Sequence, residues 1–358
     1  MSMIIKSISL KNFRNHAYLT YDFEKSLNVI TGPNAAGKTN LVEAIYYLSL
    51  ARSFRTTEDV ELIQKGKDRA EINAVCSEGD INRKVRIVIT DAGKQIFING
   101  KTISKISELS NCMNVLLFEP KDVMMFRGSP KARRNFLDIN LSKKSQPYLE
   151  YISRYNKILK ERNELLKSDK VDPVLLETTT EMLAKLSGPI VFYRQMYVKD
   201  INDILNKITR ALTGVQGKLQ VIYKPFVEYD KDFQNNALEA FKRAEDKDLK
   251  QKATSIGVHR EDFSICLNER DIGQFGSQGE NRIVALALKL SPYFLIDDKE
   301  KRPVIVLDDV MSELDLDHRQ RLIKFVKKFD QVFITATKLE VEGSAQYQIK
   351  KKEIKEDF

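Results

Sequence analysis

The sequence predicts an α/β fold: a mixed sheet with flanking helices, an antiparallel β meander beside it, and a helical arm inserted between the two halves of the core. Three observations carry this prediction. A phosphate-loop pattern follows a short apolar run near the N-terminus, an apolar run closing in two aspartates lies near residue 308, and the stretch between them shifts from alternating to helical spacing.

Residues 3–10 and 16–23 alternate apolar and polar positions around Asn12-Phe13-Arg14-Asn15, which predicts an antiparallel hairpin. Residues 27–30 form a short apolar strand leading into Gly32-Pro33-Asn34-Ala35-Ala36-Gly37-Lys38-Thr39, and residues 38–50 read as the helix leading out. The eight residues match G-x-x-x-x-G-K-[ST], and a strand before with a helix after is the context that motif demands. Backbone N–H groups wrap a phosphate only where side chains are small or absent, and the helix N-terminus adds partial positive charge. The motif predicts nucleotide binding, with Lys38 on the β- and γ-phosphates and the Thr39 hydroxyl on a bridging magnesium ion.

From residue 70 to 103 the period is again two, with turns at Glu78-Gly79-Asp80, Asp91-Ala92-Gly93 and Asn99-Gly100, so a small meander is expected. Residues 114–118 read as a core strand. At Ser129-Pro130, an N-cap followed by proline at the first helical position, the character changes. Helical spacing then holds to about residue 212, with breaks expected near 168–173 and at Ser187-Gly188-Pro189. The lobes drawn from this pattern are residues 1–120, an inserted arm over 121–215, and a C-terminal lobe over 216–358. That last lobe reads as a strand at 217–223, a charged helix at 232–250, a strand at 264–267, helices at 277–290 and 316–329, a strand at 331–335 and a lysine-rich tail.

Pro303-Val304-Ile305-Val306-Leu307-Asp308-Asp309 is how a buried parallel strand looks when its C-terminal tip carries chemistry. Asp308 is expected to hold magnesium directly or through water, and Asp309, one residue further, to polarise an attacking water.

At 358 residues the chain exceeds one ordinary domain, and 42% hydrophobic content suffices for a packed core. Fifty-nine Lys and Arg against 50 Asp and Glu leave a net charge of +9, with an isoelectric point near 9.1, a balance that suits a polyanion such as nucleic acid. Cys76, Cys112 and Cys266 are far apart and in no metal-ligand spacing, so they read as small buried residues of a reducing compartment. His16, His259 and His318 are equally scattered, and no zinc or iron site is suggested. Met1-Ser2-Met3-Ile4-Ile5-Lys6 has no signal-like apolar stretch and no run approaches a membrane span, so a soluble cytoplasmic protein is expected.

Phe275-Gly276-Ser277-Gln278-Gly279-Glu280-Asn281-Arg282 opens the helix at 277–290. Ser277 with Glu280 three residues on is a capping box, and a helix start presenting free N–H groups is also a phosphate-binding surface. With a phosphate loop far upstream and the Asp308-Asp309 strand just downstream, the order resembles the head of ABC-type ATPases, in which the signature of one subunit closes over the γ-phosphate held by another. Within that superfamily the chain is similar to the RecF family of bacterial recombination proteins. The residues that carry the resemblance are Leu10-Lys11-Asn12-Phe13-Arg14-Asn15, Ser53-Phe54-Arg55-Thr56, Phe118-Glu119-Pro120-Lys121-Asp122, and Gly128-Ser129-Pro130 leading into Arg133-Arg134-Asn135-Phe136-Leu137-Asp138. Gly257-Val258-His259-Arg260-Glu261-Asp262 and Leu307-Asp308-Asp309-Val310-Met311-Ser312-Glu313-Leu314-Asp315 complete it.

The resemblance implies a DNA-dependent ATPase of gap repair and replication-fork maintenance that dimerises on ATP and binds DNA near single-strand/double-strand junctions. It also implies work with RecO and RecR to load the RecA recombinase. On this view Ser277, Gln278 and Gly279 are the signature, Asp308 the magnesium aspartate and Asp309 the water-polarising acid. Ser312 to Asp315 cross the dimer interface, and Arg14 points at the nucleotide. Arg133 and Arg134 are candidate DNA contacts.

Four departures from the pattern stand out. Ala35 stands where many relatives have glycine, a tolerable change because a methyl group still permits close backbone approach, and Glu280 replaces the usual glutamine, its carboxylate repulsive to a γ-phosphate unless it faces back into its own capping box. Asp309 is one methylene shorter than the common catalytic glutamate and Ala336 stands where transporters carry histidine, and these two suggest slow hydrolysis with ATP binding as the switch. The alternatives are a nucleotide-gated DNA-binding scaffold without significant turnover, a transporter motor disfavoured by Ala336 and the helical insertion, and an SMC-like chromosome or end-processing ATPase, whose arms run to hundreds of residues.

Overall fold

β1 (Met3–Phe13) buries Met3, Ile5, Ile8, Leu10 and Phe13, its period of two broken twice, where the register shifts between Ile5 and Ser7 and at Asn12 (φ 52) before Phe13. It pairs with β2 (His16–Asp22), Phe13 opposite His16, so the expected hairpin closes through Arg14 and Asn15. The computed structural model describes residues 3–79, 81–125, 128–214 and 217–350, which fall into two compact units. The first unites Met1–Asp122, Ala211–Gly214 and Tyr293–Phe358; the second unites Val123–Arg210 and Val215–Pro292. Asp80 of the first meander turn, the arm boundary at 215–216 and the tail at 351–358 lie outside the described residues.

In the first unit β3 (Leu27–Thr31) and α1 (Lys38–Leu50) flank the phosphate loop. The meander follows as β4 (Arg69–Glu78), β5 (Ile81–Thr90), β6 (Gly93–Ile98) and β7 (Lys101–Thr102), its last turn made by Asn99 (φ 50) and Gly100 (φ 80) in the left-handed region that an Asn-Gly pair favours. β1 pairs with β4, Leu10 opposite Ile72, so hairpin and meander form one six-stranded sheet of order β2-β1-β4-β5-β6-β7. α2 (Ile106–Cys112), absent from the sequence reading, precedes β8 (Val115–Phe118).

The second unit carries α3 (Pro130–Lys144), α4 (Gln146–Lys167) and α5 (Pro173–Thr213) as far as Arg210, the last residues of α5 from Ala211 being counted with the first unit. The expected break near 168–173 is present, but α5 runs 41 residues straight through Ser187-Gly188-Pro189. Proline there removes one backbone donor at a cost of about 3 kcal/mol. Leu186, Ser187, Ile190 and Val191 are all buried and Ser187 Oγ donates to the Leu183 carbonyl at 2.8 Å, so packing outweighs the local penalty. β9 (Leu219–Lys224), α6 (Phe233–Gln251), β10 (Asp262–Leu267), β11 (Arg270–Asp271), α7 (Ile272–Phe275) and α8 (Gln278–Phe294) follow. β11-β10-β9 is an antiparallel sheet against α3, and residues 217–292 fall in one compact unit with these helices. Cys76 and Cys112 are buried, burial pushing the Cys76 thiol up to about 12, whereas Cys266 at the β10–β11 hairpin is part-exposed, contrary to expectation.

One ion pair ties this unit together. Arg162 of α4 and Asp248 of α6 meet at 2.8 Å with neither side chain exposed, while Arg162 also donates to Thr180 and Thr254 and Asp248 accepts from the Ser255 N–H. Breaking such a pair from one side strands a buried charge. Asp248→Ala is expected to lower the unfolding free energy by about 3–5 kcal/mol in a denaturant titration. A loss near 1 kcal/mol, the size of an ordinary surface change, would contradict the pair's sealed environment.

The chain returns to the first unit with β12 (Val304–Leu307), α9 (Leu316–Val326), β13 (Val332–Ala336) and β14 (Ala345–Gln348). All strands of the sheet β14-β3-β13-β12-β8 run parallel, and the fully buried runs of β8, β12 and β13 are the continuous apolar segments that a covered parallel sheet requires. β3, from the start of the chain, lies beside β13, from its end. The Gln331 side-chain amide acts as an extra strand residue, accepting from the Ile5 N–H and donating to the Ile5 carbonyl, both at 2.8 Å, and so locks this sheet to β1.

Candidate functional site

The loop between β3 and α1 is shaped by its neighbours. Gly37, the N-cap of α1, has φ 109, and a Cβ there would stand 2.6 Å from Asn15 Oδ1 and from the His16 ring. A Cβ on Gly32 would meet the Ile349 carbonyl at 2.4 Å. Ala35 has φ 64, so beyond the tolerable methyl it carries a left-handed backbone, costly for alanine by roughly 1–2 kcal/mol. Pro33, Asn34 and Ala35 are exposed, Ala36 is buried, and Lys38 folds back so that its Nζ donates to the carbonyls of Gly32 (2.7 Å) and Pro33 (2.9 Å). Donor capacity remains on the ammonium for a phosphate oxygen.

The parallel sheet sets the two aspartates beside this loop. Thr39 and Asp308 are 269 positions apart, yet the Thr39 hydroxyl donates to Asp308 Oδ1 at 3.3 Å. The same oxygen accepts from Thr335 Oγ1 of β13 at 2.6 Å, and Thr335 Oγ1 in turn accepts from the Asp309 N–H at 2.9 Å. Burial pushes the Asp308 carboxyl up; the hydroxyls of Thr335 and Thr39 oppose that, the charge of Asp309 adds to it and that of Arg55 lowers it. A buried, under-stabilised carboxylate beside a hydroxyl is a hard oxygen pair that fits Mg²⁺, an ion that takes one or two protein ligands and completes its shell with phosphate and water. Asp309 has φ 50, a left-handed backbone in which Asp is far commoner than Glu. That gives a local reason for the shorter acid. Beyond it, Ser312 Oγ donates to the Asp309 carbonyl, Asp315 caps α9 through the His318 N–H, and Ser312, Glu313 and Asp315 are exposed while Leu314 is buried.

Ser277, Gln278 and Gly279 belong to the second unit and are exposed. The capping box forms: the Ser277 N–H donates to Glu280 Oε2 at 2.8 Å and the Glu280 N–H donates to Ser277 Oγ at 3.2 Å. The Ser277 backbone N–H, and then its hydroxyl, hold the Glu280 carboxyl below its ordinary range. Glu280 therefore turns into its own cap.

Sequence reasoning missed the support of the loop. Asn15 Nδ2 donates to the Ala36 carbonyl at 3.1 Å and His16 Nε2 lies 3.0 Å from the Gly37 carbonyl, so a histidine read as scattered braces the motif. The signal was the Asn12-Phe13-Arg14-Asn15 turn, whose position opposite the loop only the folded sheet reveals. Arg14, expected at the nucleotide, forks onto Glu43 of α1 through Nε (2.9 Å) and Nη2 (2.7 Å). Arg133 and Arg134, the candidate DNA contacts, are engaged within the chain: Arg133 forks onto Asp262 at 2.6 and 2.9 Å and Arg134 donates to the Glu261 carbonyl at 2.7 Å, so both hold the 257–262 segment. Glu261 is further held by Arg194 (2.7 Å), itself buried and paired with Asp138.

Comparison with known proteins places this geometry. The family model described as the RecF/RecN/SMC N-terminal domain matches residues 4–356. The DNA replication and repair protein RecF of Lactobacillus gasseri is 33% identical over 349 residues, covering 94% of this chain and 93% of the relative; that of Clostridium novyi is 35% identical over 339 residues, covering 94% of each. A solved structure of the recombination mediator protein RecF with ATP, of the RecFOR pathway, superposes with a TM-score of 0.88 at 33% identity, covering 98% of both chains. The Smc head domain of Pyrococcus furiosus, at 16% identity and a TM-score of 0.57 over 94% of this chain and 90% of that one, shares the fold, which is that of an ABC-type ATPase head.

Proposed function

The chain belongs to the RecF family, and from that premise we propose that it is a DNA-binding ATPase of replication and recombinational gap repair. The observation that carries the reading is the cluster of Thr39, Asp308 and Thr335 at the phosphate loop, which draws both ends of the chain to one point. ATP is the ligand of residues 32–39. Thr39 and Asp308 would hold Mg²⁺, which when bound neutralises charge between the β- and γ-phosphates. The loop N–H groups and Lys38 orient the phosphates, and the Asp309 carboxylate holds a water in line with the γ-phosphorus and accepts its proton as the water oxygen attacks, the bond from the γ-phosphorus to the β,γ-bridging oxygen breaking so that ADP leaves with inorganic phosphate as the second product. Ser277 and the N-terminus of α8 close over the γ-phosphate held by a second copy, so ATP drives a head-to-tail dimer on DNA. Such a clamp, at single-strand/double-strand junctions, would act with RecO and RecR in loading RecA, slow hydrolysis resetting it.

A non-hydrolysing, nucleotide-gated scaffold is the second reading, favoured by the short acid at Asp309 and its left-handed backbone. Asp309→Asn separates the two. It is expected to keep ATP binding and to lower turnover by roughly 10²–10⁴-fold, measured as multiple turnover with and without gapped DNA. An unchanged rate moves the catalytic acid elsewhere, and a parent without turnover in either condition leaves the scaffold.

A further inference from the structure

Within the second unit, Asn206, Lys207, Arg210, Gly217, Lys218 and Asn268 line a cavity of about 590 Å³. Three of these residues are cations, and no Asp or Glu is among them. Lys207, Arg210 and Lys218 are exposed, and their side chains make no hydrogen bond or ion pair among the described residues. Other cations of this unit are spoken for: Arg133 sits on Asp262, Arg162 on Asp248, and Arg194 on Asp138 and Glu261. The dipole of α5, which ends at Thr213, favours a cation at Arg210, but it gives no reason for Lys218 on another segment.

The frame that carries the three charges is fixed by amides. Asn206 reaches from α5 to β9, its Nδ2 donating to the Leu219 carbonyl at 3.0 Å and its Oδ1 accepting from the Leu219 N–H at 2.7 Å. One turn earlier Asn202 holds Val221 in the same way, at 2.9 and 2.7 Å. Asn268 holds the main chain of Lys218 from the other side, its Oδ1 accepting from the Lys218 N–H and its own N–H donating to the Lys218 carbonyl, both at 2.9 Å. Lys207 and Arg210 are three positions apart and share a face of α5, so their stems are anchored beside a Lys218 whose backbone cannot drift. The two amides that line the cavity are occupied by these bonds. Recognition there falls to charge: an arginine fork and two ammonium groups, which suit the several acceptor oxygens of phosphate.

We propose that this cavity is a phosphate-binding site, separate from residues 32–39, that takes the phosphates of a nucleic-acid backbone. In naming DNA as the source of those phosphates it rests on the DNA-binding reading above; inorganic polyphosphate offers the same chemistry in a smaller form. Contacts of this kind position a polyanion without reading its bases.

The test uses the full-length protein, the single variants Lys207→Gln, Arg210→Gln and Lys218→Gln, and the triple variant, each checked by thermal unfolding and by titration with a fluorescent ATP analogue. Anisotropy of labelled gapped DNA is followed over a range of salt concentrations. In a second arm inorganic tripolyphosphate is titrated calorimetrically into Lys38→Ala protein with and without the triple change, so that residues 32–39 do not compete. The triple variant is expected to lower the slope of log K against log salt by about 2–3 and DNA affinity by roughly 10²-fold or more at about 0.1 M salt, with ATP affinity at the parental value. Each single variant lowers the slope by about 1, and Arg210→Lys, which keeps the charge, leaves it in place. If the triple variant unfolds early, the singles decide. Parental DNA affinity and salt slope together with parental tripolyphosphate binding overturn the inference. Loss of tripolyphosphate with DNA binding intact overturns nucleic acid as the occupant and assigns the cavity to a small polyphosphate. A parent that binds no DNA removes the DNA-binding reading itself, and the tripolyphosphate arm then decides whether the cavity takes phosphate.

Discussion

Lys38→Ala is expected to abolish ATP binding while leaving the chain folded. The Lys38 ammonium lies over the loop on the carbonyls of Gly32 and Pro33, and in the proposed ATP site it is the cation that engages the phosphates. Charge-assisted contacts to the β- and γ-phosphates of roughly 1.5–3 kcal/mol each imply a loss of about 10²-fold or more. The loop itself stays braced from outside, through Asn15 on the Ala36 carbonyl and His16 at the Gly37 carbonyl, so unfolding should shift little. Titration with a fluorescent ATP analogue checks this, and parental affinity in the variant would remove the assignment of the loop.

Ser277→Arg is expected to bind ATP as a monomer and to lose both dimerisation and turnover. The first N–H groups of a helix have no intrahelical acceptor and carry the positive end of its dipole. At α8 the Ser277 and Glu280 N–H groups are taken by the capping box, and Glu280 turns its charge inward, so Gln278 and Gly279 present their N–H groups on an exposed surface suited to an anion. A Cβ built on Gly279 meets nothing within 4 Å, so an approaching phosphate is not obstructed there. An arginine in place of Ser277 removes the reciprocal cap and projects a long side chain into the closing surface. Turnover should fall by roughly 10²-fold or more, the cost of losing an electrostatic contact made in the transition state. Parental ATP affinity alongside monomeric sedimentation is the expected pair of results; a variant that dimerises and hydrolyses normally contradicts the role of Ser277.

Much of the site was legible because its chemistry is local in sequence. Residues 32–39 state a motif whose strand and helix lie on either side, and β12 is a continuous apolar run ending in Asp308. What could not be read is which distant segments meet. Periodicity showed that Leu10 and Ile72 face a core but not that they face each other across β1 and β4. Glu43 is the one acidic residue of α1, and only the fold gathers Arg14, Ser53 and Arg55 around it. Thr335 is one β-branched residue in a buried strand, and only the parallel pairing of β12 with β13 sets its hydroxyl between Asp308 and Asp309. Pro189 misled in the opposite sense, because its local cost is visible in sequence and the buried face of α5 that offsets it is not. The arginine pair at 133 and 134 has partners in Asp262 and the Glu261 carbonyl that lie more than a hundred positions away and could not be read from the sequence.

Analytical ultracentrifugation of the protein decides whether ATP joins two copies into a composite site. Samples carry Mg²⁺ with ATP, with ADP or without nucleotide, each with and without gapped DNA, over a range of protein concentrations. The expected outcome is a dimer with ATP, monomers with ADP or no nucleotide, further stabilisation of the ATP dimer by gapped DNA, and specific activity that rises with protein concentration. A protein that sediments as a monomer at saturating ATP, with a hydrolysis rate independent of concentration, would contradict it.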